Sequence, residues 1–470
     1  MEPLTHTTTN SRSSVTVVRD SIESINTRNS EINAFVEIYA DEALQIAADC
    51  DAERERGISR GPLHGLPFGV KDLFLTKNRR TARGSRAFRN FVPSESAPVV
   101  ERMEKAGAIL LGKTTTTELG WSGSSVSELY GPTRNPWNTA LTSGGSSSGS
   151  AAAIAAGMVP FTLGSDGGGS VRIPASFCGI FAMKGSLGRI PAYPWSATEM
   201  LSHAGPMTRT AADSALLFNI LKGPDPRDHL ALPDDALDYV QAGIDPKTLR
   251  IAYAPTLFGF PVDDQVARVV GEAVERLSQA FGVAPQPVLP DWQDPIRIFE
   301  TLWVAGRGVA YGRDAASADF GTGFGGLVDR AAAYSLADYL DAMKARARFA
   351  GQVHAFFEDH DLLLLPTVPI QPFEAELEKP SWLAATSEAL PWTAWTPFTY
   401  PFNLSGNPAA SIPAGLSASG LPVGLQVVGR RYADCTVLSF CRLLEEQAGF
   451  HLPLLETLPT QSGVTQGGMS

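Results

Sequence analysis

The chain has 470 residues, 44% of them hydrophobic and 19% charged, with a formal net charge of −11. That length holds one very large domain or two to three ordinary ones, and the composition is that of a globular protein. The acidic balance argues against nucleic acid or an anionic membrane as partner, since both require basic patches.

The N-terminal MEPLTHTTTNSRSS has no apolar core for a signal peptide, and residues 1–15 are expected to be flexible, as is the tail 456–470. No apolar run reaches membrane-spanning length. The four cysteines, Cys50, Cys178, Cys435 and Cys441, form no CxxC pair and no metal-ligand cluster. They fit a reducing, cytoplasmic setting with no metal and no other cofactor.

Residues 15–56 carry helical periodicity, in SVTVVRDSIESI and DEALQIAADCDAERERG. From Gly65 the texture changes to short apolar runs alternating with helices: GLPFGVKD, APVVERMEKAG, AILLGKT, then the small-residue helix SAAAIAAG and the strand MVPFTLG. The helix TAADSALLFNIL and the strand LRIAYAP follow, with long amphipathic helices over 263–281 and 336–359. The Gly/Asp-rich stretch 312–330 reads as loop. After the strand DLLLLPTV comes an aromatic-rich loop, Trp382 to Phe402, then the strands AASIPAG and LPVGLQVVG and a last helix, CTVLSFCRLLEEQAG. No repeat and no long linker interrupts this order. The expected fold is α/β: a single large domain with a mixed central sheet, joined by strands from both ends of the chain and covered by helices on both faces.

Three glycine-rich patterns compete for chemistry. GAILLGKT, Gly107 to Thr114, satisfies the phosphate-loop pattern G-x-x-x-x-G-K-T. Its four intervening residues read as a buried strand, and a helix precedes rather than follows, so Lys113 is expected to be structural. GSSSG, Gly145 to Gly149, satisfies the nucleophile-elbow pattern around Ser147, but a loop precedes it and none of the seven histidines lies in a fitting late loop. The third pattern is GSDGGGSVRIPAS, Gly164 to Ser176. A strand runs in, and a helix can start at Arg172–Pro174, with proline well placed in its first turn. On this stretch alone, a cradle of backbone amides beside a nucleophilic Ser170 and a structural glycine turn are equally compatible. A serine also needs a base. Lys71 in GLPFGVKD would serve if burial lowered its pKa by about three units, ~4 kcal/mol of environmental bias. Taken alone it reads as a strand-end surface lysine.

The block TSGGSSSGSAAAIAAGMVPFTLGSDGGGSVRIPASFCGIFAMKGSLGRIP resembles the signature of the amidase signature family of amide hydrolases. GLPFGVKD resembles that family's lysine motif and GAILLGKTTTTELG its next block. YGPTRNPWN, LSHAGPMTRTAADSALLF and GLPVGLQVVG match further segments, so the likeness covers about residues 60 to 440. The resemblance implies a Ser–cis-Ser–Lys triad. Ser170 is then the acyl-forming nucleophile, Ser146 the bridging serine after a cis Gly145–Ser146 peptide, and Lys71 the terminal base. It also implies oxyanion donors at the amides of Gly167, Gly168, Gly169 and Ser170, and a helix from about Ser148 with its positive end toward the cluster. Ser147 either hydrogen-bonds within the site or caps that helix. Asp166 and Arg172 are expected to pair and brace the loop, and Cys178 to sit in the core.

The chain departs from the family in three places. Gly167 replaces a threonine, which should loosen the loop or open room for substrate. Gly185 replaces a proline. Ile173 stands where the glutaminase subunits of tRNA-dependent amidotransferases usually carry glutamine, which weakens that alternative and favours a free-standing amidase. The implied domain spans 16–455, with a catalytic core over about 60–225 and a variable, substrate-lining region over about 225–400. Its partner is a small-molecule amide, and a homodimer is compatible with the sequence. Trp392, Trp395 and Phe398, with Trp121 and Trp195, either line an apolar pocket or pack a loop. The first option makes the substrate an apolar or aryl-substituted amide.

Overall fold

A computed structural model describes residues 12–196, 198–313, 319–453 and 455. The expected flexible tail, 456–470, and most of the expected flexible N-terminus lie outside the described residues. A helix already starts at Ser14, where the Ser13 hydroxyl accepts the Thr16 amide as an N-cap.

Eleven strands form one sheet in the order β1 (Phe35–Ile38), β3 (Ile109–Thr114), β2 (Pro67–Lys71), β6 (Phe161–Asp166), β8 (His203–Thr208), β7 (Phe181–Lys184), β12 (Ala409–Leu416), β13 (Pro422–Gly429), β11 (Leu362–Pro366), β9 (Ile251–Tyr253) and β10 (Gln286–Pro287). The short pair β4 (Arg134–Asn135) and β5 (Asn138–Thr142) stands apart. The sheet is mixed. Strand β2 is parallel to both β3 and β6, whereas β6–β8, β8–β7, β7–β12 and β12–β13 are antiparallel. Strands from both ends of the chain join it, as expected.

Alternation along the strands splits the core into faces. Leu362 and Leu364 of β11 join a cluster with Val70, Phe161, Val270 and Leu444, while Leu363 and Leu365 join another with Phe299, Trp303 and Trp395. A third cluster lies under Val18, Ile25 and Ala151–Ala156. Side chains on successive strand residues point to opposite faces, so a sheet covered by helices on both faces follows from runs that are apolar at every position.

Two readings of the sequence need correction. The helical region 15–56 contains strand β1 between its two helices, Ser14–Ile32 and Ala40–Glu55. The stretch 312–330 is not all loop: one helix, Ile296–Gly312, runs into it, and another, Thr322–Ala331, starts within it. Glycines let these two helices pack closely, for a Cβ on Gly308 would collide with that of Ala331, and one on Gly312 would stand 3.0 Å from Val328 Cγ1.

Candidate active site

Lys71 ends β2 and Asp166 ends β6, and these neighbours are parallel, with Val70 opposite Leu163. Both strands therefore deliver their carboxyl ends to one side of the sheet, where open α/β sheets bind ligands. The small-residue helix Ser148–Ala155 is pinned beside them. Ser150 Oγ donates to Leu163 O at 3.2 Å and lies 2.7 Å from Thr114 Oγ1, and the Gly149 amide donates to Thr115 O at 3.1 Å. The serines just before this helix thus meet the end of β2.

Lys71 is fully buried, not a surface lysine. Its Nζ lies 2.7 Å from Ser146 Oγ, 3.0 Å from Ser147 Oγ and 3.0 Å from Ser165 Oγ. The Gly145–Ser146 peptide is cis. Burial pushes the Lys71 amine well below the ordinary lysine range, and the Arg307 guanidinium pushes the same way, against a weaker opposite pull from Asp166. Gly120, at φ 67°, closes over this group, and a Cβ there would stand 3.2 Å from Ser146 Oγ.

Ser147 does not cap the helix with its side chain. Its hydroxyl donates to Ser165 O at 3.1 Å and accepts from the Ser165 amide at 3.2 Å, while its own amide donates to Ser170 O at 3.1 Å. The two serine loops are thereby tied together.

Asp166 and Arg172 form the expected pair, both fully buried, with Nε to Oδ2 at 2.9 Å and Nη2 to Oδ1 at 2.9 Å. Burial alone would raise this carboxyl, but the Arg172 guanidinium beside it holds it well below the usual carboxylate range. Asn403 Nδ2 donates to Asp166 Oδ1 at 2.9 Å, and Arg172 reaches Thr399 O at 2.9 Å and Gln426 Oε1 at 2.7 Å. The Gly169 amide also donates to Asp166 Oδ1, at 2.7 Å. This corrects its expected role, because that N–H is committed to the loop and not directed at a substrate.

Ser170 is 6% exposed and lines a cavity of about 330 Å³ together with Ser146, Ser165 and Gly167. Of the five aromatic residues expected at the pocket, only Trp195 lies on its wall, at 61% exposure. Trp121, Trp392, Trp395 and Phe398 are core residues. Trp395 stacks on Phe177 at 5.6 Å, Trp392 meets Phe299 edge-on at 5.8 Å, Phe398 meets Phe260 at 6.2 Å, and Trp121 O accepts from Trp303 Nε1 at 3.2 Å. Burying such large rings outweighs presenting them to a cavity. Nor does Gly167 leave spare room, because Trp303 fills it: a Cβ on Gly167 would lie 2.8 Å from Trp303 Cζ3.

Sequence reasoning missed Ser165, Arg83, His203 and Arg307, all on the cavity wall. Ser165 sits inside the quoted glycine motif and was within reach. Arg307 is a lone cation in the apolar run TLWVAGRGVAYG, a signal that could have been read. Burial drives His203 neutral, and its Nδ1 lies 2.8 Å from Leu201 O. Lys113 is on β3, fully buried, donating to Phe74 O at 2.7 Å and to the hydroxyls of Thr76 and Thr81. GAILLGKT is therefore a strand and no phosphate loop.

Comparison with known proteins agrees with this geometry. The family model described as Amidase matches residues 16–438. The chain is 35% identical over 430 residues to an acylamidase of Rhodococcus erythropolis, covering 89% of this chain and 88% of the other. It is 34% identical over 469 residues to the A-type subunit of the glutamyl-tRNA(Gln) amidotransferase of Moorella thermoacetica, covering 94% of each. Its fold superposes on a bacterial aryl acylamidase of the amidase signature family with a TM-score of 0.84 at 28% identity, covering 95% of both chains. With a buried lysine, a cis-linked serine and a glycine loop meeting at the strand ends, and a family match along nearly all of its length, the chain belongs to the amidase signature family of amide-hydrolysing enzymes.

Proposed function

We propose that amide hydrolysis runs through a Ser170 acyl-enzyme, with Ser146 and Lys71 moving the protons. Neutral Lys71 takes the proton of Ser146 as Ser146 takes that of Ser170. The Ser170 oxygen then bonds to the amide carbon, and the carbonyl oxygen gathers negative charge against the amides of Gly167, Gly168 and Ser170. The proton returns through Ser146 to the amine nitrogen as the C–N bond breaks. Water repeats the relay, releasing the acid and regenerating Ser170. Ser147 and Ser165 position Lys71, and Asp166 with Arg172 sets the loop.

The observation that carries this reading is Lys71 Nζ, fully buried and 2.7 Å from Ser146 Oγ, with the nearby Asp166 carboxylate already held by Arg172. The test is labelling with a serine-directed fluorophosphonate and mapping of the adduct by mass spectrometry. The adduct is expected on Ser170 and absent from Ser170→Ala. Labelling of Ser147 in the wild-type protein overturns the assignment.

For the substrate we keep an amide with an apolar or aryl body. Leu73, Phe74, Leu119, Tyr193, Trp195 and Tyr311 on the cavity wall support it. A second reading, the glutaminase component of a tRNA-dependent amidotransferase, draws on the likeness to such subunits. Release of ammonia from glutamine only in the presence of partner chains would favour it over a free-standing amidase. A cytoplasmic location is supported by four free cysteines. No described helix is long and apolar enough to cross a membrane.

A further inference from the structure

Among the described residues, the cavity wall carries two guanidinium groups and no carboxylate free to meet them. Arg307, in the helix Ile296–Gly312, is 7% exposed. Its Nη1 donates to Leu119 O at 2.6 Å, its guanidinium stacks 4.0 Å over the Trp303 ring, and its Nε has no hydrogen-bond partner. Arg83 lies against Phe88 and Phe91, at 4.9 and 5.1 Å, and its buried Nε is also without a partner. Asp166 is the one acidic side chain described on the wall, and Arg172 holds it from behind.

The other buried arginines among the described residues are paired, Arg172 with Asp166 and Arg189 with Asp434. Leaving a buried charge without a counter-charge is costly, and in a chain of net charge −11 carboxylates are abundant. Arg307 and Arg83 have no such partner among the described residues. A carboxylate on a ligand would supply one.

We propose that this wall selects the substrate: Arg307, assisted by Arg83, receives a carboxylate carried by the amide whose carbonyl sits at Ser170. The inference rests on the amidase reading of the same site. A guanidinium fits a carboxylate with two parallel hydrogen bonds, and stacking on Trp303 fixes the plane of the fork before the ligand arrives. The carboxylate belongs close to the reacting centre, because Arg307 Nη2 would lie only 3.9 Å from a Cβ on Gly167. The aromatic and aliphatic wall then holds the rest of the molecule.

The test uses two matched pairs. N-phenylsuccinamate against its methyl ester carries the charge on the acyl side, and N-benzoylglycine against its methyl ester carries it on the amine side. Amide cleavage is followed by release of aniline or benzoate, and binding is measured by calorimetry on Ser170→Ala. The anion is expected to exceed its ester at least tenfold, in kcat/KM and in affinity, in one pair, which also identifies the side. Arg307→Met should lower that ratio at least tenfold and Arg83→Met by a smaller factor. Equal kcat/KM and equal binding within both pairs overturns the proposal, as does a ratio that survives both substitutions. Should Arg307→Met fail to fold, the wild-type ratio and Arg83→Met decide. If none of the four is cleaved, the Ser170 assignment is judged by the fluorophosphonate adduct, while tenfold tighter binding of an anion still supports the cationic wall and equal binding overturns it.

Discussion

A neutral amine offers two N–H donors and one lone pair, and Lys71 meets three hydroxyls. Ser147 spends its proton on Ser165 O, so it must accept from Lys71. If Ser165 accepts as well, the lone pair is left for the proton of Ser146, the direction the relay requires. An ammonium has three donors and no lone pair, so protonation stops the relay. The sign of the pH dependence follows. Lys71 is active when deprotonated and its pKa is lowered, so kcat/KM should rise with pH through that lowered pKa and be lost in acid. Arg307 disfavours the ammonium, so Arg307→Met should move the acid limb of the profile to higher pH. Ser170→Ala and Lys71→Ala should each cut kcat/KM by about 10⁴-fold or more while circular dichroism stays native. The proposed triad is legible in sequence only through its motifs. Nothing local to GLPFGVKD says that its lysine is buried, because much of what covers it, from Gly120 to Arg307, comes from residues far along the chain.

At the scale of elements, periodicity located most strands and helices, and it failed where tertiary contacts overrule local preference. Strand β1 is only four residues long and is stabilised by pairing with β3. The helix Thr322–Ala331 looks like loop because of its run of glycines, and the close approach of Gly308 to Ala331 shows how tightly its partner packs against it. Two substitutions probe such contacts. Gly167→Thr should collide with Trp303 and lower kcat/KM by about tenfold or more, and adding Trp303→Val should recover part of the loss, a coupling that a double-mutant cycle measures. Lys113→Ala strands Asp72 and three acceptors inside β3 and its neighbours. It should cost about 3 kcal/mol of stability in denaturant unfolding while leaving kcat/KM within a few-fold, the opposite of what a phosphate-binding lysine would do.

Across the whole molecule the fold class was readable because most strand runs and their covering helices keep their own period. The strand order was not, since β12 and β13 travel from the far end of the chain to sit between β7 and β11. The segment that carries the motifs is therefore not self-sufficient: β7 ends with an unpaired edge until β12 covers it. A fragment of residues 1–225 should show no cooperative thermal transition and poor amide dispersion by NMR, whereas the full chain melts in one step. The same layout separates two kinds of inheritance. Residues that would shuttle protons lie between positions 71 and 170, on one half of the sheet. The wall that decides which molecule enters draws Arg307, Ala310 and Tyr311 from a helix some 140 positions later. Mutation can therefore retailor the guest list of this enzyme along a single helix as long as Trp303 and Arg307, which touch the chemistry through Gly167 and Lys71, are kept, and a combinatorial library confined to the rest of that helix is the shortest road to new amides.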